Sequence, residues 1–81
     1  MQVPCFATLL EQLLERGVSE RQLCRALEVK HLQKMIKHFR GGGVPNSPRG
    51  EEICRMWCEA TGQTWADMPM TTWKPKRLRE D

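Results

Sequence analysis

The sequence lacks the features that mark membrane proteins and enzymes. No apolar run approaches the roughly 18 residues of a membrane-spanning helix, and the first residues do not show the basic-then-apolar order of a signal peptide. There is no Ser/His/Asp set at useful spacing and no inward acidic pair, and the glycines at 41–43 lack the strand and lysine context of a nucleotide-binding loop. We therefore expect a cytoplasmic protein with no catalytic activity, no cofactor and no membrane contact.

Strand alternation and internal repeats are also missing, so helices are the only predicted elements. A chain of 81 residues, 40% hydrophobic and 28% charged, has the composition of one small globular domain. We predict an all-α domain of four helices plus a short fifth turn over residues 1–70. Residues 71–81 are predicted to form a flexible tail that carries a basic cluster.

Cysteine is present but gives no sign of a disulfide framework. The four cysteines are Cys5, Cys24, Cys54 and Cys58. Because nothing indicates export, free and partly buried thiols are expected. The alternative is a zinc site in which His31 or His38 joins Cys54 and Cys58. Structural zinc sites usually need four ligands at knuckle spacing, and these two cysteines fall in mid-helix, so no metal is predicted.

Apolar spacing and capping residues place the first two helices. The first covers residues 4–16, with Pro4 in its first turn and Gly17 just after its end. The second begins at a capping box, in which Ser19 is the N-cap and Gln22 follows three residues later. The predicted core residues of this pair are Phe6, Leu9, Leu10, Leu13, Leu14, Leu23, Ala26 and Leu27.

The same signals place the third and fourth helices and the final turn. The third covers residues 30–40 and stops at the three glycines. The fourth has Ser47 as its N-cap and Pro48 at its first position, and it ends at Gly62. A single capped turn follows at residues 64–67. The side chains predicted to point inward are Ile53, Met56, Trp57 and Ala60 in the helix, and Trp65 and Met68 at the turn.

The most informative segment is the third predicted helix, KHLQKMIKHFR, which contains no acidic residue. An apolar stripe of Leu32, Met35, Ile36 and Phe39 occupies one side at helical spacing, and Lys30, Lys34 and Lys37 occupy the other. Residues 1–40 hold seven Lys/Arg and four Asp/Glu, a balance of +3, whereas residues 41–81 hold six of each. A helix with a core side and a basic side can lie against a polyanion, so nucleic acid is the first hypothesis.

Two short helices joined by a tight turn, with the second one basic, form the arrangement of a helix-turn-helix motif. In that arrangement Gln33, Lys34 and Lys37 would point into the major groove of double-stranded DNA, where amides and cations reach base edges. Lys30 and Arg40, at the helix ends, would meet phosphates, and the start of the second helix would offer backbone N–H groups. The full set of predicted DNA-binding residues is Ser19, Arg21, Lys30, His31, Gln33, Lys34, Lys37 and Arg40.

The stretch GVSERQLCRALEVKHLQKMIKHFRGG resembles the helix-turn-helix core of the lambda-repressor/Cro-like (XRE-type) superfamily, and PRGEEICRMWCEATGQTW is similar to the helix packed behind it. SPRGEEI, with Trp65, shows a weaker similarity to the Ner-like regulators of transposable phages. The resemblance covers about residues 6–68. It implies a lambda-repressor-like fold in a small transcriptional regulator, a repressor or modulator from a phage or mobile element. It also implies a homodimer that binds two half-sites.

The chain departs from the superfamily pattern in and near the turn. Glu28 stands where the family usually has glycine, and Cys24 stands where it usually has alanine. A left-handed non-glycine residue costs of order 1 kcal/mol, so the turn is either strained or remodelled. From Val29 to Gly41 the spacing is one residue longer than the common pattern, which extends the turn through Lys30.

A second class of function remains open at this point. The altered turn and three tryptophans also fit a helix-turn-helix module that binds a protein, as an anti-activator or adaptor of a transcription factor, because tryptophan is enriched at interface hot spots. Trp73 is a candidate for docking on a partner subunit. The basic tail either follows the phosphate backbone or minor groove of DNA or merely solubilises the chain. Its cations are Lys74, Lys76, Arg77 and Arg79.

Overall fold

A computed structural model describes residues 2–72. The tail cations and Trp73 lie outside these residues. Four helices make up most of the described chain, which confirms their predicted number and order. The helices are α1 (Phe6–Glu15), α2 (Glu20–Leu27), α3 (Leu32–Arg40) and α4 (Ser47–Thr61). A 3-10 turn at Trp65–Asp67 and two short strands, β1 (Gln2–Pro4) and β2 (Met70–Thr72), complete the fold.

The two strands correct the all-α prediction. They pair antiparallel, with Gln2 opposite Thr72 and Pro4 opposite Met70. Pro4 therefore belongs to a strand and not to the first turn of α1, which begins at Phe6. Proline is tolerated there because each strand has a neighbour on one side only. The predicted domain boundary at residue 70 falls on the first residue of β2.

The start of α2 matches the predicted capping box. The Ser19 hydroxyl accepts a hydrogen bond from the Gln22 backbone N–H (3.0 Å), and the Gln22 side-chain oxygen accepts one from the Ser19 N–H (2.9 Å). Two of the N–H groups that a helix start leaves unpaired are thereby satisfied. This pair fixes where α2 begins.

The predicted starts of α3 and α4 are wrong by one or two residues. His31 is the N-cap of α3, so Lys30 lies in the turn. Asn46, not Ser47, caps α4: its side-chain oxygen accepts from the backbone N–H of Arg49 at 3.0 Å. Asparagine and serine are both good caps, and local sequence does not choose between neighbours. The predicted stop at Gly62 is confirmed, since it has φ +74° in the left-handed region.

The core forms where α1 packs against α3 and α4. Trp57 is 1% exposed, and its indole N–H donates to the Gln12 side-chain oxygen (2.8 Å). Two predicted inward residues are exposed instead: Ala26 on α2, and Trp65, which is 58% exposed. The buried hydrophobic residues are Ala7, Leu9, Leu10, Leu13, Leu23, Leu27, Leu32, Ile36, Phe39, Ile53, Cys54, Trp57 and Met68.

The thiols in the described chain are free, as expected. Burial raises the pKa of Cys54 to about 11, so this thiol stays protonated and unreactive at neutral pH. Within residues 2–72, no group of three or more His, Cys, Asp and Glu side chains is placed to hold a metal ion. No helix in that range is long and apolar enough to cross a bilayer.

Glu28, in the α2–α3 turn, adopts the left-handed conformation although it is not a glycine. Glu28 has φ 58° and ψ 46°, and it is the only non-glycine residue with positive φ in the described chain. The backbone N–H of Val29 then bonds to the Cys24 carbonyl at 3.0 Å and closes the end of α2. The turn is therefore strained at Glu28 and also extended through Lys30.

Replacing Glu28 with glycine is expected to raise the free energy of unfolding by up to about 1 kcal/mol, because glycine adopts this conformation without steric cost. Glu28→Ala is the matched control: it removes the same carboxylate but keeps the Cβ, so it should give no gain. Urea denaturation followed by circular dichroism measures both variants. A glycine variant less stable than the alanine variant would contradict the strained turn.

Candidate nucleic-acid interface

The buried side of α3 fixes which side chains it presents to solvent. Leu32, Ile36 and Phe39 are buried, and the Phe39 ring lies against Phe6 with 5.9 Å between ring centroids. Because these three residues share one face at helical spacing, the opposite face of α3 projects away from the core.

Lys34 and Lys37 occupy the centre of this outward face. Both are exposed, and neither forms an ion pair within residues 2–72. Their charge is therefore available to a polyanion at no cost in broken contacts. The structure brings together the two lysines that the sequence placed at the middle of the interface.

An open groove of about 690 Å³ separates the start of α3 from α2. Lys30 and His31 lie at one end, and Arg21 reaches it from α2. All three side chains are exposed, as expected for residues that meet phosphates. The complete lining is Glu20, Arg21, Cys24, Lys30, His31, Leu32, Gln33 and Lys34.

Gln33 is not free, which the sequence did not reveal. Its side-chain N–H donates to the Glu20 carboxylate at 3.3 Å, across the gap between α2 and α3. One amide N–H and the amide oxygen remain for an outside partner. Glu20 thus orients Gln33, and it also places a negative charge at the edge of a cationic face.

Arg40 lies to one side of the interface and is already paired. Its guanidinium donates to the Glu11 carboxylate of α1. This hydrogen bond, together with the charge attraction, raises the pKa of Arg40. The Arg40–Glu11 pair joins α3 to α1. A phosphate could bind Arg40 only in competition with the Glu11 carboxylate.

The Ser19 hydroxyl oxygen accepts the capping bond from Gln22, and its own O–H remains a donor for an outside acceptor. At the start of α2, the N–H groups of Glu20 and Arg21 have no acceptor within the helix, as at any helix N-terminus. A phosphate could accept from them, helped by the helix dipole and by the Arg21 side chain.

His38 has a structural contact that the sequence did not indicate. Its imidazole lies directly over Gly43, and any Cβ at that position would collide with the ring. The Gly43 N–H also bonds to the His38 carbonyl at 3.0 Å. The glycine loop is thereby held against the end of α3.

The fold and the site define a small, mostly helical domain of four helices with a two-stranded sheet and a basic face on α3, where Lys34 and Lys37 form no ion pair within the described residues. No family model, curated protein or solved structure matches the chain.

Proposed function

We propose that this chain is a small sequence-specific DNA-binding transcriptional regulator that places α3 in the major groove. The observation that supports it best is the pair Lys34 and Lys37, which form no ion pair within residues 2–72 and lie at the centre of a face whose reverse side is buried in the core. α3 is a regular helix of nine residues, and an α-helix with its side chains is about 10–12 Å in diameter, which fits a groove about 12 Å wide.

In this proposal each predicted contact has a defined position. Lys34, Lys37 and the free half of the Gln33 amide reach base edges, while Lys30, His31 and Arg21 meet phosphates on either side. One short helix touches few bases, so two copies on two half-sites are part of the proposal. A repressor or modulator of a phage or mobile element is the role that best fits such a chain.

Salt dependence of DNA binding tests the proposal. In a gel shift against the DNA upstream of its own gene, the affinity should fall with salt, with a log–log slope of several units. Each neutralised phosphate contributes about 0.9 to that slope. Absence of a shift at low salt would contradict DNA binding. An equal affinity for unrelated duplexes would contradict the sequence specificity of binding but not DNA binding itself.

A second candidate, a protein-binding module that acts as an anti-activator or adaptor of a transcription factor, is favoured by one observation. Trp65 and Val44, 58% and 40% exposed, line the same groove of about 330 Å³ beside Phe6 and Pro45. Exposed tryptophan in an apolar groove is typical of a protein contact. Failure of the gel shift together with stable folding would favour this candidate.

A further inference from the structure

A second surface of α2 shares one residue, Arg21, with the proposed DNA contacts. Residues of α2 and α4 line an open groove of about 600 Å³, which we call the α2–α4 groove. Of the described residues that line it, only Arg21 also lines the groove between α2 and α3. The lining residues are Leu13, Val18, Arg21, Gln22, Arg25, Ala26, Met56, Glu59 and Ala60.

The floor of the α2–α4 groove is apolar and formed by small or flexible side chains. Val18, Met56 and Ala60 are half-buried, and Ala26 is exposed. Ala26 on α2 and Ala60 on α4 are too small to fill the space between the two helices. Methionine adapts to the shape of a neighbour, so this floor suits an apolar side chain inserted from outside.

The rim of the same groove is cationic. Arg21 and Arg25 are four residues apart on α2 and therefore share one side of the helix. Neither forms an ion pair within residues 2–72. The carboxylate of Glu59, on the opposite rim, is held by Arg55 at 2.8 Å. The unpaired charge at this groove is therefore positive.

We propose that the α2–α4 groove docks an acidic amphipathic helix of a protein partner, with its apolar side on Ala26 and Met56 and its carboxylates on Arg21 and Arg25. An amphipathic helix is the occupant because it presents an apolar side flanked by charges, which complements an apolar floor with cations on its rim. A DNA backbone has no apolar surface to cover the floor, so the rim arginines alone would not explain the groove. The proposal does not depend on DNA binding by α3.

Selection from a peptide library tests the occupant. The probe is a displayed library of helical peptides of about 18 residues, five turns of helix, with varied apolar and charged positions. The selected sequences should combine an apolar stripe with Asp or Glu beside it. The tightest peptide should bind the Arg25→Glu variant about tenfold more weakly than it binds the parent chain, because the substitution reverses the charge at the rim.

Two further variants keep the test independent of folding and of the proposed function. Ala26→Gln fills the groove at an exposed helical position without changing charge, and it should also weaken the peptide by about tenfold. Lys34→Gln, on α3, should lower the affinity for DNA and leave the affinity for the peptide unchanged. The proposal is overturned if no acidic amphipathic sequence is enriched, or if the selected peptide binds the Ala26→Gln variant as tightly as the parent chain. It is also overturned if Arg25→Glu affects only DNA.

Discussion

Replacing Lys34 and Lys37 together by glutamine is expected to lower the affinity for DNA about 100-fold. Each lysine that loses a base or phosphate contact costs about 1–3 kcal/mol, and about 1.4 kcal/mol is a factor of ten. The log–log salt slope should also fall, because two cations are lost from the surface that displaces counterions from the DNA. Fluorescence anisotropy with a labelled duplex at several salt concentrations measures both quantities.

The control must change the net charge by the same amount elsewhere. The double variant Arg16→Gln/Arg55→Gln removes two exposed cations. Neither lies on α3 or lines the groove between α2 and the start of α3. The effect of this variant on affinity should be small, because neither arginine belongs to the proposed contact surface and exposed charges outside it are partly screened by salt. If the two double variants weaken binding equally, the effect comes from net charge and not from a defined interface.

Replacing Trp57 with alanine is expected to cost about 3–5 kcal/mol of unfolding free energy, which is most of the stability of a small domain. The indole is 1% exposed in the core, and its loss also removes the donor that pairs with the Gln12 side chain. Unfolded chain should therefore be evident at physiological temperature. Thermal melting and urea denaturation measure the loss.

Two companion variants separate packing from the hydrogen bond. Trp57→Phe keeps most of the ring but leaves Gln12 without its donor, so it should cost less than the alanine change. Trp65→Ala, at the exposed tryptophan, should shift the free energy of unfolding by no more than about 0.5 kcal/mol. Equal losses at Trp57 and Trp65 would mean that the core is not where the structure places it.

Helices and their local signals could be predicted from sequence because each depends on neighbouring residues. Apolar spacing identified the four helices, and the Ser19–Gln22 pair fixed the start of α2. The sheet could not be predicted in the same way. Its strands have three residues each, too few to show alternation, and Gln2 pairs with a residue seventy positions away.

The part of the candidate site that depends on neighbouring residues could also be predicted from the sequence. Periodicity alone places Lys34 and Lys37 opposite the buried stripe, and the structure exposes both. The partners of Gln33 and Arg40 come from other helices, Glu20 and Glu11, so no spacing rule reveals them. Spacing along one helix likewise cannot show whether a small residue such as alanine is covered by a neighbouring helix.

Ala26 illustrates that limit. Its spacing from Leu23 predicts a buried position, but Ala26 lines the open groove between α2 and α4 and is exposed. The groove is a property of how the helices pack and not of the α2 sequence. It is the feature for which the sequence offered no signal.

Nuclear magnetic resonance of the isotope-labelled chain, titrated with a short duplex that carries its upstream DNA, tests the DNA interface most directly. The largest changes in backbone amide signals are expected at Lys34 and Lys37, with smaller ones at Gln33 and Lys30. Signals from Val44 and Trp65 should stay in place. Changes confined to the groove beside Trp65, or no change at low salt, would contradict an α3 interface.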